Sequence, residues 1–246
     1  DYNPASREWA IISDDKSDRA PARFYLAHIA LDTGKPQVTL EHAVPFRQPD
    51  GALYPNTKTG GTVPDPESIR FDPTGQALWW TSEGSGKLRL TPFVRETTLD
   101  GRFMAAFPLP AMFDMQDGKT VGPRDNLTFE GLSFTPDHQA LWLGMETALA
   151  QDGPIATVDA GSIARFTKFD RSGKVLGQYA YPVDPIQRKP AGPSSDNGVS
   201  EMLALDENRL LVVERSGVQG TDDNWTMYIR LYEADAAGAT AVSGLN

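Results

Sequence analysis

The chain has 246 residues, 39% of them hydrophobic and 9% aromatic, with no cysteine and a formal net charge of −10. That apolar content supports a packed core and argues against wholesale disorder, and no apolar run is long enough to cross a bilayer as a helix. The acidic balance argues against a nucleic-acid partner and sets a condition on anionic substrates, which are repelled unless a bound cation or a local arginine cluster reverses the field. Without cysteine, neither disulfides nor thiolate chemistry contributes, and a domain of this size needs no staples in any compartment.

The first residue is Asp1, with neither methionine nor a signal segment before it, so the chain is expected to be mature, trimmed or part of a longer one. It opens on a partial copy of a repeat: Tyr2-Asn3-Pro4 matches Phe71-Asp72-Pro73, and Trp9 to Asp14 matches Leu78 to Glu83. The leading strand of this copy is expected to be missing. The first full copy, Pro66 to Trp80, aligns without gaps on Phe129 to Leu143, and a third, Ser200 to Val213, differs by a tighter turn. The leading glutamates Glu67, Glu130 and Glu201 are 63 and 71 residues apart, a period that suits a propeller blade better than a helical solenoid.

Each unit reads as four strands. The first alternates, as at Ile69 and Phe71, and an Asp-Pro-Thr-Gly-like turn follows it. The second is an apolar run (78–80, 141–143, 210–213), as expected where both faces are covered by neighbouring blades. Strand three is expected at Leu88-Arg89-Leu90, Ala164-Arg165-Phe166 and Ile229-Arg230-Leu231, and strand four at 102–107 and 175–181. Segments 43–66, 108–128 and 182–199, rich in Pro, Gly and Asn, read as long surface loops feeding the next unit. The expected architecture is therefore all-β: one β-propeller domain over residues 1–246, incomplete at its N-terminal strand and at its C-terminal end. About six blades are expected in the full ring, four of them represented here.

Antiparallel pairing turns the spacing into chemistry. Glu67 and Glu83 are 16 residues apart, as are Glu130 and Glu146, while Glu201 and Glu214 are 13 apart across the tighter turn. Each pair joins the start of one strand to the end of its neighbour, so both carboxylates belong at one edge of the blade. Arg89, Arg165 and Arg230 belong at that edge too, with Asp14 and Arg23 as the first unit's equivalents. Carboxylates gathered this way repel one another without a cation or arginine partners, and an all-oxygen donor set favours Ca²⁺ over Mg²⁺. Equally open at this point is a repeated structural salt bridge in which the second glutamates and the arginines grip each other.

Other candidates carry less. His138 occupies the turn position of Gly75, and His28 and His42 have no evident partner. Gly84-Ser85-Gly86 lacks the helix that a phosphate-cradling loop requires, and Ser194, Ser195 and Ser200 lack a nucleophile-elbow context. Trp79, Trp80 and Trp142 recur at core-facing positions.

The stretches Ile12-Ser13-Asp14-Asp15-Lys16-Ser17, Ala22-Arg23-Phe24-Tyr25, Asn126-Leu127-Thr128-Phe129-Glu130-Gly131-Leu132 and Asn197-Gly198-Val199-Ser200-Glu201-Met202 together resemble the phytase-like family, the propeller domain labelled "esterase-like activity of phytase". The resemblance implies a calcium-supported phosphoester hydrolase or related esterase, periplasmic or secreted. It maps the family's recurring acidic positions onto Asp14, Glu67, Glu83, Glu130, Glu146, Glu201 and Glu214.

Three functional expectations follow. In the first, Ca²⁺ held by Glu67, Glu130, Glu201 and Asp14 assists hydrolysis of a phosphate ester. Arg89, Arg165, Arg230 and Arg23 then bind the substrate, and a second glutamate (Glu146, Glu83 or Glu214) serves as general base. In the second, the propeller is non-catalytic and binds a ligand or protein partner through its loops. In the third, it is a metal-dependent lactone or sugar-ester hydrolase. A further chain segment completing the propeller is also expected as a partner.

Overall fold

The computed structural model describes residues 1–31, 34–116 and 120–243, and the chain divides into two compact units, Asp1–Leu109 and Pro110–Asn246. Unit 1 holds two four-stranded sheets. The first runs β1 (Tyr2–Asn3), β2 (Glu8–Ile12), β3 (Arg23–Ala30) and β4 (Gln37–Pro45), and the second β5 (Pro66–Phe71), β6 (Ala77–Ser82), β7 (Phe93–Thr98) and β8 (Phe103–Ala106). Unit 2 holds a four-stranded sheet of β9 (Phe129–Phe134), β10 (Ala140–Met145), β11 (Ser162–Asp170) and β12 (Val175–Val183). Its other sheet has three described strands, β13 (Ser195–Ala204), β14 (Arg209–Gln219) and β15 (Trp225–Asp235). Neighbouring strands are antiparallel and follow sequence order in every sheet, which is how a propeller blade is built. The protein is all-β, of the β-propeller class, with four blade sheets.

Two of the three apolar second strands are buried as the repeat required, β6 and β10 along their whole length, whereas in β14 burial alternates, with Leu210 and Val212 buried and Leu211 and Val213 half-buried. In unit 1, Trp80 is 1% exposed and stacks on Phe46, their centroids 4.1 Å apart, with Tyr54 and Phe93 edge-on to it. In unit 2, Trp142, Leu141, Leu143, Phe129 and Phe169 form the corresponding buried layer. The turn match also holds, since Gly75 and His138 both adopt positive φ, 69° and 60°.

The short β1 pairs with β2 through Tyr2↔Trp9 and Asn3↔Glu8. Two local expectations need correction. Strand three of the second sheet is 93–98, because residues 84–92 form a hairpin loop closed by a Ser85↔Leu90 bridge; Arg89 sits in that loop, exposed, at φ 56°. The long connections run over the surface and are pinned by single buried side chains, Phe46, Tyr54, Val63 and Phe113 each being under 5% exposed. His28 does have a partner, its Nδ1 lying 3.0 Å from the Arg7 carbonyl.

A feature that the repeat did not foretell lies at the leading glutamates. The β5–β6 register slips between Pro66 and Ile69, the β9–β10 register at Glu130, and the β13–β14 register between Val199 and Glu201. Each first strand thus carries a β-bulge at or beside its glutamate, a device that re-aims a side chain and leaves an amide without a ladder partner. In β5 the Ser68 amide donates instead to Thr81 Oγ1 at 2.9 Å. In β13 the Met202 amide donates to the Glu201 carboxylate at 2.8 Å.

Replacing Trp80 with alanine should lower stability by about 3–5 kcal/mol through the cavity it opens. Trp225→Ala, at a site 46% exposed, should stay within about 0.5 kcal/mol of wild type in urea unfolding.

Candidate functional site

Two blades bring their acidic repeat to one edge, as the spacing required: Pro66 pairs with Ser82 and Phe129 with Met145, so Glu67 and Glu83, and Glu130 and Glu146, sit together at the loop-bearing edge of their sheets. In the fourth sheet Val199 pairs with Glu214, but the ladder continues to Ser195↔Val218, so Glu201 and Glu214 are neighbours within longer strands and not at a strand end. Folding then separates them by burial. Glu83, Glu146 and Glu214 are 1%, 8% and 2% exposed, whereas Glu67, Glu130 and Glu201 are half-buried.

In unit 1 the acidic groups converge. Asp14, Asp65 and Glu67 each place one carboxylate oxygen within 4.8 Å of the other two. Asp65 is 2% exposed and is fixed by the Ser82 Oγ, which accepts its amide at 2.9 Å, and by its own carbonyl, which accepts the Glu83 amide at 3.0 Å. The Lys16 ammonium lies 2.7 Å from Asp65. Burial alone would lower the Lys16 pKa, but the hydrogen bond and charge of Asp65, with the charges of Glu83 and Asp14, outweigh it and raise the pKa above the ordinary lysine value. Lys16 is therefore protonated throughout the neutral range.

This donor set fits a hard cation. Calcium binds oxygen ligands at about 2.3–2.6 Å in flexible geometry, so three oxygens within 4.8 Å of one another fit around one ion. Two members, Asp14 and Glu67, were expected as metal ligands. Asp65 was not, because the other copies carry Thr128 and Val199 two residues before their glutamates and self-comparison passes over a residue that does not repeat.

In unit 2 hydrogen bonds from the protein itself hold Glu214 and Glu201. Glu214 accepts hydrogen bonds from the Tyr181 hydroxyl at 2.8 Å, Asn197 Nδ2 at 2.9 Å and the Asp184 amide at 3.1 Å. Glu201 accepts from the amides of Met202 and Leu132. Glu130 lies at the β9 bulge. Glu146 lies against Gly198, where a Cβ would fall 2.5 Å from the glutamate Cγ, so this approach demands glycine.

Three of the four third-strand arginines are held by aspartates. Arg23 donates to Asp15 at 3.0 Å and to the Tyr25 hydroxyl at 2.5 Å. Arg165, 4% exposed, forms a two-pronged pair with Asp152 at 2.5 and 2.6 Å and donates a third bond to Gln178 at 2.6 Å. Arg230 pairs with Asp184, which also accepts from the Tyr232 hydroxyl at 2.5 Å. In the second sheet the strand-three arginine is Arg95, whose guanidinium lies 4.0 Å from the Phe93 ring centroid and donates to the Tyr54 hydroxyl. Asp15, Asp152 and Asp184 stand at unrelated distances from their arginines in sequence, so no shared spacing betrays them.

Asp15 shows how such a carboxylate is accommodated. Burial would raise its pKa, but Arg23 and the amides of Arg19, Ala20 and Asp18 outweigh it and hold the carboxyl below the usual aspartate range.

The edge of each blade thus gathers carboxylates with cationic or amide partners, and the class the fold defines is a β-propeller with acidic loop-edge clusters. The chain belongs to the phytase-like family: the family model described as "Phytase-like: Esterase-like activity of phytase" matches residues 1–246. No curated protein matches the chain. Among solved structures it is similar to the Dos1 propeller (11% identity, TM-score 0.42), covering 90% of this chain and 42% of that one. It is also similar to KlHsv2 with loop 6CD replaced by a Gly-Ser linker (10%, TM-score 0.35), covering 87% and 66%. The Pseudomonas aeruginosa periplasmic gluconolactonase PpgL is similar at 14% identity and TM-score 0.39, with 93% and 70% covered. The chain therefore spans less than half of the first of these and 66% of the second.

Asp15→Asn should remove stability across the neutral range. Because the folded pKa is depressed, the stability that the ionised carboxylate contributes is fully present above the unfolded aspartate pKa of about 3.9. It is lost as pH falls through the lower folded value. Chemical unfolding from pH 7 to pH 2 should accordingly show the gap between wild type and Asp15→Asn close at the acid end.

Proposed function

We propose that the chain is a metal-assisted hydrolase of phosphate esters, with its metal site in unit 1 at Asp14, Asp65 and Glu67. The observation that carries this reading is the convergence of those three carboxylates within 4.8 Å around a protonated Lys16. Membership of the phytase-like family supports the same class of reaction.

A calcium ion bound there would polarise the phosphoryl oxygen and lower the pKa of a coordinated water. The protein's own groups do the rest. Asp14, Asp65 and Glu67 supply the negative charge that holds the cation. Lys16, 36% exposed at its side chain, binds a non-bridging phosphate oxygen and offsets the repulsion between an anionic substrate and a surface of net charge −10. Glu83, whose charge reaches Lys16, is the group we assign to take the proton of the attacking water. Glu214 is less suited to that task, since three donors already satisfy its carboxylate. The family resemblance supports a periplasmic or secreted setting.

A second reading has an observation of its own. The engagement of Arg165 with Asp152 and Gln178, and of Arg230 with Asp184, favours structural roles for these arginines in a propeller that binds a ligand without turning it over.

Hydrolysis of a phosphomonoester, a phosphodiester and a carboxyl ester, each with and without EDTA, separates the readings. The phosphate-ester reading predicts chelator-sensitive turnover of at least one phosphate ester. It also predicts a loss of about 100-fold or more in Asp65→Asn and Glu83→Gln, the scale of a lost general base. Lys16→Met should bind calcium more tightly in calorimetry, because an internal competitor is gone, while losing turnover. Undiminished rates in EDTA would remove the metal, and inactivity on every ester would leave the binding reading.

A further inference from the structure

Unit 2 contains a cavity of about 360 Å³ that the hydrolytic site proposed for unit 1 does not use, although one glutamate of the repeat, Glu214, lines it. It opens between the third and fourth blades, flanked by β11 and β12 on one side and β14 and β15 on the other. After β15 the chain crosses toward β12, where the Val242 amide donates to the Gln178 carbonyl at 2.7 Å, and Ala239 of this crossing segment closes part of the cavity.

Its walls are aromatic. Trp142, Phe166, Tyr179, Tyr181 and Tyr232 all line it, with Phe166 and Tyr181 stacked at 4.6 Å and 8° and Trp142 tilted against Tyr179 at 5.7 Å. Its charged lining residues are acidic: Asp184, Glu214, Glu233 and Asp235. Two of these charges are matched by arginines, Asp184 by Arg230 and Glu233 by Arg209. Glu214 differs, because its donors are a phenol, a carboxamide and a backbone amide, all of them neutral. Its carboxylate is held in place by hydrogen bonds beside a space lined by aromatic side chains, of which Tyr179 and Tyr232 are the more exposed. Tyr181 registers that charge: burial first, and then the Glu214 carboxylate, push its pKa well above the ordinary tyrosine value.

Aromatic faces and a fixed carboxylate attract the same ligand chemistry. A cation over a ring gains from the ring quadrupole, more so when desolvated, and an apolar body fills the space between the rings. An anion would meet four carboxylates and no basic lining residue. We infer that this cavity is a binding site for a small organic cation, an alkylammonium carrying an apolar body. The site is separate from the phosphate-ester chemistry proposed for unit 1, which takes a substrate of the opposite charge.

Choline and its neutral isostere 3,3-dimethyl-1-butanol test this on the intact chain, by calorimetry and by tryptophan fluorescence. Choline should bind saturably and about tenfold or more tighter than the isostere, the scale of a desolvated cation–π contact with its carboxylate. Glu214→Gln and Tyr232→Leu should each weaken choline binding about fivefold or more, while Tyr232→Phe, which keeps the ring, should retain it. Because Glu214 is buried, Glu214→Gln counts only if its circular dichroism matches wild type; the half-buried Tyr232 variants decide the matter otherwise. Equal binding of the isostere, no saturable binding of choline, or choline binding unchanged in Tyr232→Leu would each overturn the inference. Hydrolysis in unit 1 is measured separately, so failure of one proposal does not carry over to the other.

Discussion

Charge that folding removes from water has to be met by donors at short range, and this constraint organises the loop-bearing edge of every blade. Glu83 and Glu146, which follow the second strands β6 and β10, and Glu214 within β14 are almost wholly buried. An uncompensated carboxylate at that depth would be protonated or would unfold its surroundings. Where the partners are resolved, they come from loops as well as strands: Asn197 and the Asp184 amide reach Glu214, and Asp152 reaches Arg165. The connecting segments are thus fastened to the sheets by polar contacts as well as by Phe46, Tyr54 and Phe113.

The same constraint distinguishes the two units. Unit 2 answers its acidic residues with hydrogen bonds from its own side chains and amides. In unit 1 the triad of Asp14, Asp65 and Glu67 includes an ion pair between Asp65 and the flexible Lys16, a cation that can withdraw. A lysine ammonium is a compact charge on a mobile stem and gives way more readily than a two-pronged arginine. Replaceable compensation is what a metal or anion site needs, and fixed compensation is what a blade joint needs.

Much of the architecture was legible because a blade repeats. The alignment of 66–80 on 129–143 located four strands, the buried tryptophans and even the left-handed turn shared by Gly75 and His138. The 16-residue spacing placed the glutamate pairs on one edge correctly. What failed was whatever does not repeat. Arg89 resembles its counterparts in local sequence, yet a longer hairpin displaces it and gives its strand position to Arg95. The bulges arise from a single extra residue, which leaves no mark on composition. Asp15, Asp65, Asp152 and Asp184 sit in loops of differing length, and loop geometry alone brings them to their partners.

The central claim is that the unit 1 triad holds a divalent cation in competition with Lys16. Crystals grown in calcium and examined by anomalous diffraction address it directly. The account predicts a peak bounded by oxygens of Asp14, Asp65 and Glu67, with the Lys16 ammonium displaced from Asp65. Calcium-saturated crystals with no peak there and Lys16 still bonded to Asp65 would contradict it.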